Sequence, residues 1–209
     1  MTTRLTAFAF VCVLVSSCSH TVIVEAPTVT PVVEAVNIKV AVIYNEALRN
    51  FHCTASQGYI AEEWPIKLGP ASMVTFTTIF SSMFEDVVFL PTGAEAPVGD
   101  DTYVIRLSLE SYTGCDVSWP IIGSPVAVTY SAEVLRGPDK VMEAWTGYGE
   151  GTAEEIVARH GSTINIEDYL ASITTLAIRR AAADFLWKFE EDERVLAWKS
   201  AATSDASYD

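Results

Sequence analysis

Adjacent carboxylates stand at Glu62-Glu63 and at Asp100-Asp101, and His52 precedes Cys53. Paired carboxylates beside a histidine run acid–base hydrolysis when a cleft gathers them and pushes their pKa values apart. Neighbouring acids in polar stretches are far more often solvated surface. His52 and His160 lie far apart in the chain, and each reads as a surface or loop residue rather than a general base. The chain has three histidines, one of them His20 near the N-terminus, and these with Cys53 make no zinc-type ligand spacing. Gly147-Tyr148-Gly149-Glu150-Gly151 is rich in glycine, yet no lysine follows and Glu150 would repel a phosphate, so it is not a phosphate loop. No catalytic residue, metal site or cofactor follows from these residues, and a non-catalytic role is the expectation. The alternative enzyme or binder is a small glycan- or peptidoglycan-directed protein using Glu62, Glu63, Asp100, Asp101 and His52.

Cys18 is the residue whose surroundings point most sharply to a modification. Arg4 is the sole charge among the first seventeen residues, and residues 5–15 form an apolar run broken only by Thr6. Such a run is too short to span a bilayer but suits the hydrophobic region of an export signal. Val15-Ser16-Ser17-Cys18 then resembles a bacterial lipobox, in which the cysteine is acylated and becomes the new N-terminus. At about 0.8 kcal/mol per buried methylene, two or three acyl chains hold a domain on a membrane almost permanently. Ser19 follows, and by resemblance to the enterobacterial sorting pattern this implies the outer membrane rather than retention in the inner one.

Composition narrows the partners. The 209-residue chain has a formal charge of −14; without residues 1–17 it keeps 12 basic against 27 acidic residues, a charge of −15. Such a surface repels phosphate backbones, which excludes nucleic acid as a partner. It also argues against broad electrostatic docking on anionic lipid. Cys53 and Cys115 remain besides Cys18, and behind an export signal they are expected to form a disulfide.

The elements that must position these groups follow from periodicity. Residues 18–36 hold the acylated cysteine and a Pro- and Thr-bearing tether, reaching at most about 3 Å per residue. A single domain over 37–199 and a flexible tail over 200–209 complete the division. Val36–Tyr44 is apolar on one face and largely so on the other, as in a central strand. Residues 45–68 read as a long irregular excursion. Met73, Phe76, Phe80, Met83 and Phe84 at helical spacing behind Gly69-Pro70 mark a helix over 70–85 with a core-facing stripe. Short strand 86–90 precedes a loop at 92–101, and residues 102–112 alternate as a strand with one wet face. Residues 126–136 and 140–149 form a hairpin about Gly137-Pro138-Asp139, with Val126, Val128, Tyr130 and Val134 inward. Trp145 falls opposite Met142, Ala144 and Tyr148, which suggests an exposed position. Residues 147–155 read as a mobile loop. Asn165 and Asp168 resemble a capping box before a strong helix that meets the acidic run Glu190-Glu191-Asp192-Glu193, where it either breaks or continues through Trp198.

This order predicts an α+β two-layer sandwich, a mixed, mostly antiparallel sheet with two helices packed on one face. With the lipobox and tether it resembles several envelope lipoproteins: the LptE-type partner of the lipopolysaccharide-assembly barrel, YajG-type lipoproteins, and TolB-N-like accessory lipoproteins of exopolysaccharide export. The resemblance carries over no functional residue except Cys18. It implies a periplasm-facing, outer-membrane accessory factor of an envelope export or transport complex. Its contacts would be a membrane reached through the lipid, an envelope protein partner and, as an open alternative, a second copy of itself. An inhibitor or immunity-type lipoprotein for a basic target is another alternative. Trp64, Trp119 and Trp145 are the candidate partner-binding residues, because tryptophan beside loops is a common interface anchor.

Overall fold

The computed structural model describes residues 21–28, 30–56, 63–91, 93–94, 102–116, 121–161 and 163–206. The signal segment, Cys18, Glu62, Asp100, Asp101, Trp119 and nearly all of the 92–101 loop lie outside them.

The fold is α+β. Thirteen elements follow in the order β1 (Val22–Ile23), β2 (Val36–Tyr44), α1 (Glu46–Arg49), β3 (His52–Ser56), β4 (Glu63–Lys67), α2 (Gly69–Met83), β5 (Phe84–Leu90), β6 (Tyr103–Tyr112), β7 (Val126–Arg136), β8 (Asp139–Gly151), α3 (Ala153–His160), α4 (Ile166–Glu191) and α5 (Glu193–Ala206). The main sheet has the order β5-β2-β6-β7-β8, with β2 parallel to both neighbours and the β6-β7-β8 side antiparallel. Central placement of β2 explains why it is apolar on both faces. A second, three-stranded sheet has the order β1-β4-β3. The expected irregular excursion over 45–68 is therefore replaced, in its described part, by a helical turn and two strands paired from His52↔Lys67 to Ser56↔Glu63.

Helices α2, α4 and α5 cover one face of the main sheet. Val40, Val42, Ile105, Leu107, Val126, Val128, Tyr130 and Val134 are fully buried beneath them. Phe185 of α4 takes Phe76 and Phe80 edge-on at 5.2 and 5.8 Å, joining the two long helices above the strands. Hydroxyl pairs lock the layers without leaving polar atoms bare: Ser72 with Tyr130 at 2.6 Å, and Tyr112 with Thr174 at 2.7 Å. Burial pushes the Tyr112 phenol up to about 12, so both partners stay neutral.

Asn165 caps α4 as expected. Its side-chain oxygen accepts from the Asp168 amide N–H at 2.7 Å, while its amide donates to the Asp168 carboxylate at 2.8 Å. The acidic run breaks the helix rather than ending it badly. Asp192 closes α4 and accepts from the Arg194 amide N–H at 2.9 Å, so Glu193 opens α5, where negative charge is favourable. The Arg194 side chain, bonded to Asp192, holds that carboxyl down to about 2. Helix α5 then runs through Ala206 with Ala202 buried, which replaces the flexible tail expected from residue 200.

Two further expectations change. Residues 147–155 are not a loop: β8 extends to Gly151, and α3 starts at Ala153. The tether is in large part docked on the body. Val22 and Val24 are buried, β1 pairs with β4 as Val22↔Ile66, and the Thr175 hydroxyl donates to Glu25 O at 3.2 Å.

Candidate functional site

The disulfide is formed between Cys53 of β3 and Cys115 just after β6, with Cα atoms 5.8 Å apart. It ties the small sheet to the main one. Beside it Phe51 meets Tyr112 edge-on at 5.8 Å. The sulfurs are structural partners rather than ligands, and among the described residues no group of His, Cys, Asp and Glu is placed to hold a metal ion.

Of the groups of the hydrolytic alternative, His52 and Glu63 are among the described residues, and these two do not meet. His52 and Glu63 lie at opposite ends of the β3-β4 hairpin, on the order of 13 Å apart along the strands. His52 is exposed and its Nδ1 lies 3.0 Å from Asn50 O, while His160 sits on the exposed last turn of α3.

The tryptophans are corrected in two of three cases. Trp145 is fully buried, stacked against Phe185 at 4.4 Å and near Phe189 and Trp198 at 6.3 and 6.4 Å. A bulge causes the difference. The register steps from Ala132↔Trp145 to Val134↔Met142, so β8 holds one residue more than β7 and Met142 turns to the same side as Trp145. Trp64 is buried as well, on the central strand of the small sheet. Neither is a surface anchor. Among the described residues the exposed tryptophan is one that helical periodicity hid, Trp187 on the outer side of α4.

Three surfaces remain for contact. The first is the β8 edge, and it is closed. Lys188 donates to Thr146 O at 2.9 Å, Asp184 accepts from the Tyr148 amide N–H at 2.8 Å, and Arg180 donates to Glu150 O at 2.6 Å. Side chains at i, i+4 and i+8 of α4 thus satisfy alternate backbone groups that would otherwise template another strand. Arg180 also pairs with Glu155, whose carboxyl is held below its usual range by the Thr152 hydroxyl first and then by this guanidinium. Asp184→Ala should leave the Tyr148 N–H bare, cost on the order of 1 kcal/mol and promote self-association through β8. Light scattering on the eluted protein would check this, and an unchanged monomer fraction would reject it.

The second surface is the β5 edge, where Val88 is exposed beside a small cluster of Ala41, Ile43 and Val104 that is itself buried. Val88, Leu90, Ala41, Ile43, Val104 and Leu135 share one face of the sheet. Glu133 links Arg106 at 3.8 Å and Lys140 at 3.2 Å along its rim. No described strand pairs with the outer side of β5.

Comparison with known proteins adds no family. No family model matches, and no curated protein does. Among solved structures, protein XCC0632 from Xanthomonas campestris, described as DUF330, is similar over 83% of this chain and 97% of its own at 10% identity, with a TM-score of 0.40. An uncharacterized protein is similar over 82% of this chain and 99% of its own, again at 10% identity, with a TM-score of 0.43.

The third surface is a long groove where the N-terminal strap, described over residues 21–35 apart from residue 29, runs beside α4. Its first part encloses about 830 Å³ between Ile23, Glu25 and Pro27 on the strap, Arg159 and His160 on α3, and Leu176 on α4. The second, of about 350 Å³, lies between Pro31, Val32 and Val33 and the α4 residues Ala183, Leu186 and Trp187. Thr28 and Arg179 line both, so the two lie side by side along the helix.

Proposed function

We propose that this chain is a lipoprotein held at the periplasmic face of the outer membrane through Cys18. There it serves as a non-catalytic assembly or accessory factor of an envelope export or transport complex. The observation that carries the reading is the apolar run 5–15 leading into Val15-Ser16-Ser17-Cys18. Further support comes from the surfaces. One sheet edge is closed by the Arg180, Asp184 and Lys188 ladder, while the β5 edge, with Val88 exposed beside it, is available to a protein partner. An anchored domain meets such a partner at a high effective concentration, so a modest interface suffices. Among the described residues no helix is long and apolar enough to cross a membrane.

Cys18→Ser tests the anchor. The mature wild-type product should carry acyl mass on its N-terminal cysteine and sediment with outer membranes; the variant should lose both. Cross-linking in native membranes tests the role, with recovery of an envelope transport component as the expected result. A chain recovered alone under every condition would defeat the accessory-factor reading while leaving the anchor intact.

A further inference from the structure

The groove along α4 assigns an orientation as well as a surface. From Cys18 to Thr21 there are three Cα–Cα steps, so the two residues stand at most about 11 Å apart. Thr21 opens the groove, and the strap then descends beside α4. An acyl group on Cys18 therefore cannot hold the domain at a distance, as a free tether over 18–36 would.

Three large apolar side chains of this face are left in the open: Ile23 at 76%, Val32 at 95% and Trp187 at 62% exposure. On α4 the rise from Ser172, opposite the first strap residues, to Trp187 is on the order of 22 Å. The apolar groups therefore form a line along the helix rather than one spot. Charges of both signs lie between them: Arg159 and Arg179 stand with Glu25, Glu167 and Asp168 in the first groove, and Glu190 lines the second. A face with both signs and an indole at one end suits the headgroup layer of zwitterionic phospholipid, where tryptophan places its ring in apolar surroundings and its N–H toward water.

We propose that the strap and the outer side of α4 lie flat on the phospholipid surface, with Val32 and Trp187 seated among the headgroups and the β5 edge free for a protein partner. The proposal rests on the reading of Cys18 as acylated.

The acylated full-length protein in vesicles of phosphatidylethanolamine and phosphatidylcholine, with and without brominated phosphatidylcholine, tests it. The bromolipid should quench tryptophan emission, and Trp187→Phe should remove the greater part of that quenching. Val32→Asp, a change at a solvent-facing position, should weaken it. Equal quenching in wild type and Trp187→Phe, or none, in protein whose Cys18 mass spectrometry shows to be acylated, would overturn the orientation and leave the anchor standing. Absence of the acyl mass would overturn both. In native membranes, a photo-reactive residue at position 187 should label lipid. A protein adduct there, whether from a partner or a second copy, would overturn the proposal.

Discussion

Gly149→Ala is expected to destabilise the protein by about 3 kcal/mol, because the added methyl has nowhere to go. A Cβ at Gly149 would fall well inside contact distance of Ala177 O and Ala181 N, both backbone atoms of α4. Gly147 and Gly151 stand on the same face, against Ala181 O and Ile173 O. Ile173, Ala177 and Ala181 repeat at intervals of four, so a row of small or slender positions on the helix descends onto a row of glycines in β8. The helix cannot yield at one point without lifting Phe185 from Trp145 and loosening the polar ladder beside it. For a chain of this size the loss corresponds to a fall in melting temperature of about 6–12 °C, read by calorimetry or circular dichroism. A shift of under a degree would mean that helix and strand are not pressed together at this point.

Removing the disulfide should cost more. With Cys53 and Cys115 separated by 62 positions, replacing both by serine lowers stability by about 4 kcal/mol on the chain-entropy model. The loss should not be uniform. Cys53 sits on the small sheet and Cys115 on the turn after β6, so hydrogen exchange should quicken first in β3 and β4, while β6, β7 and β8 keep their protection. Denaturant titration with and without reductant measures the first claim and exchange the second. Even acceleration across both sheets would show that the bridge braces the whole body rather than the hairpin.

Much of the main sheet was legible because its alternation is undisturbed. In β2, β6 and β7 one apolar set faces the helices, and the burial of Val40, Ile105 and Val128 follows directly. Helix α2 was marked by Pro70 and α4 by Asn165, both local signals that tertiary contacts do not override. The misreadings share a cause. Along β8 the inward positions after Trp145 are Gly147, Gly149 and Gly151, which carry no hydrophobic signal, and the bulge between Met142 and Trp145 reverses the parity. What looked like a wet face and a mobile loop is the tightest contact in the fold. The small sheet was hidden for another reason: β3 and β4 have five residues each, with polar outer positions and Pro65 among them. In the strap, Val22 and Val24 alternate over too short a span to outweigh the prolines that follow. Trp187 was invisible as an exposed group because its helix is apolar on much of its circumference.

The strap has one more consequence, for the order in which the chain is completed. Glu25 is held by Thr175, 150 positions later, and β1 needs β4 as its partner. While the polypeptide is still emerging, β4 comes early but α4 does not yet exist, and the strap lacks the helix that holds Glu25. Closure over such a separation comes late, so the final act of folding draws the body down onto its own starting point.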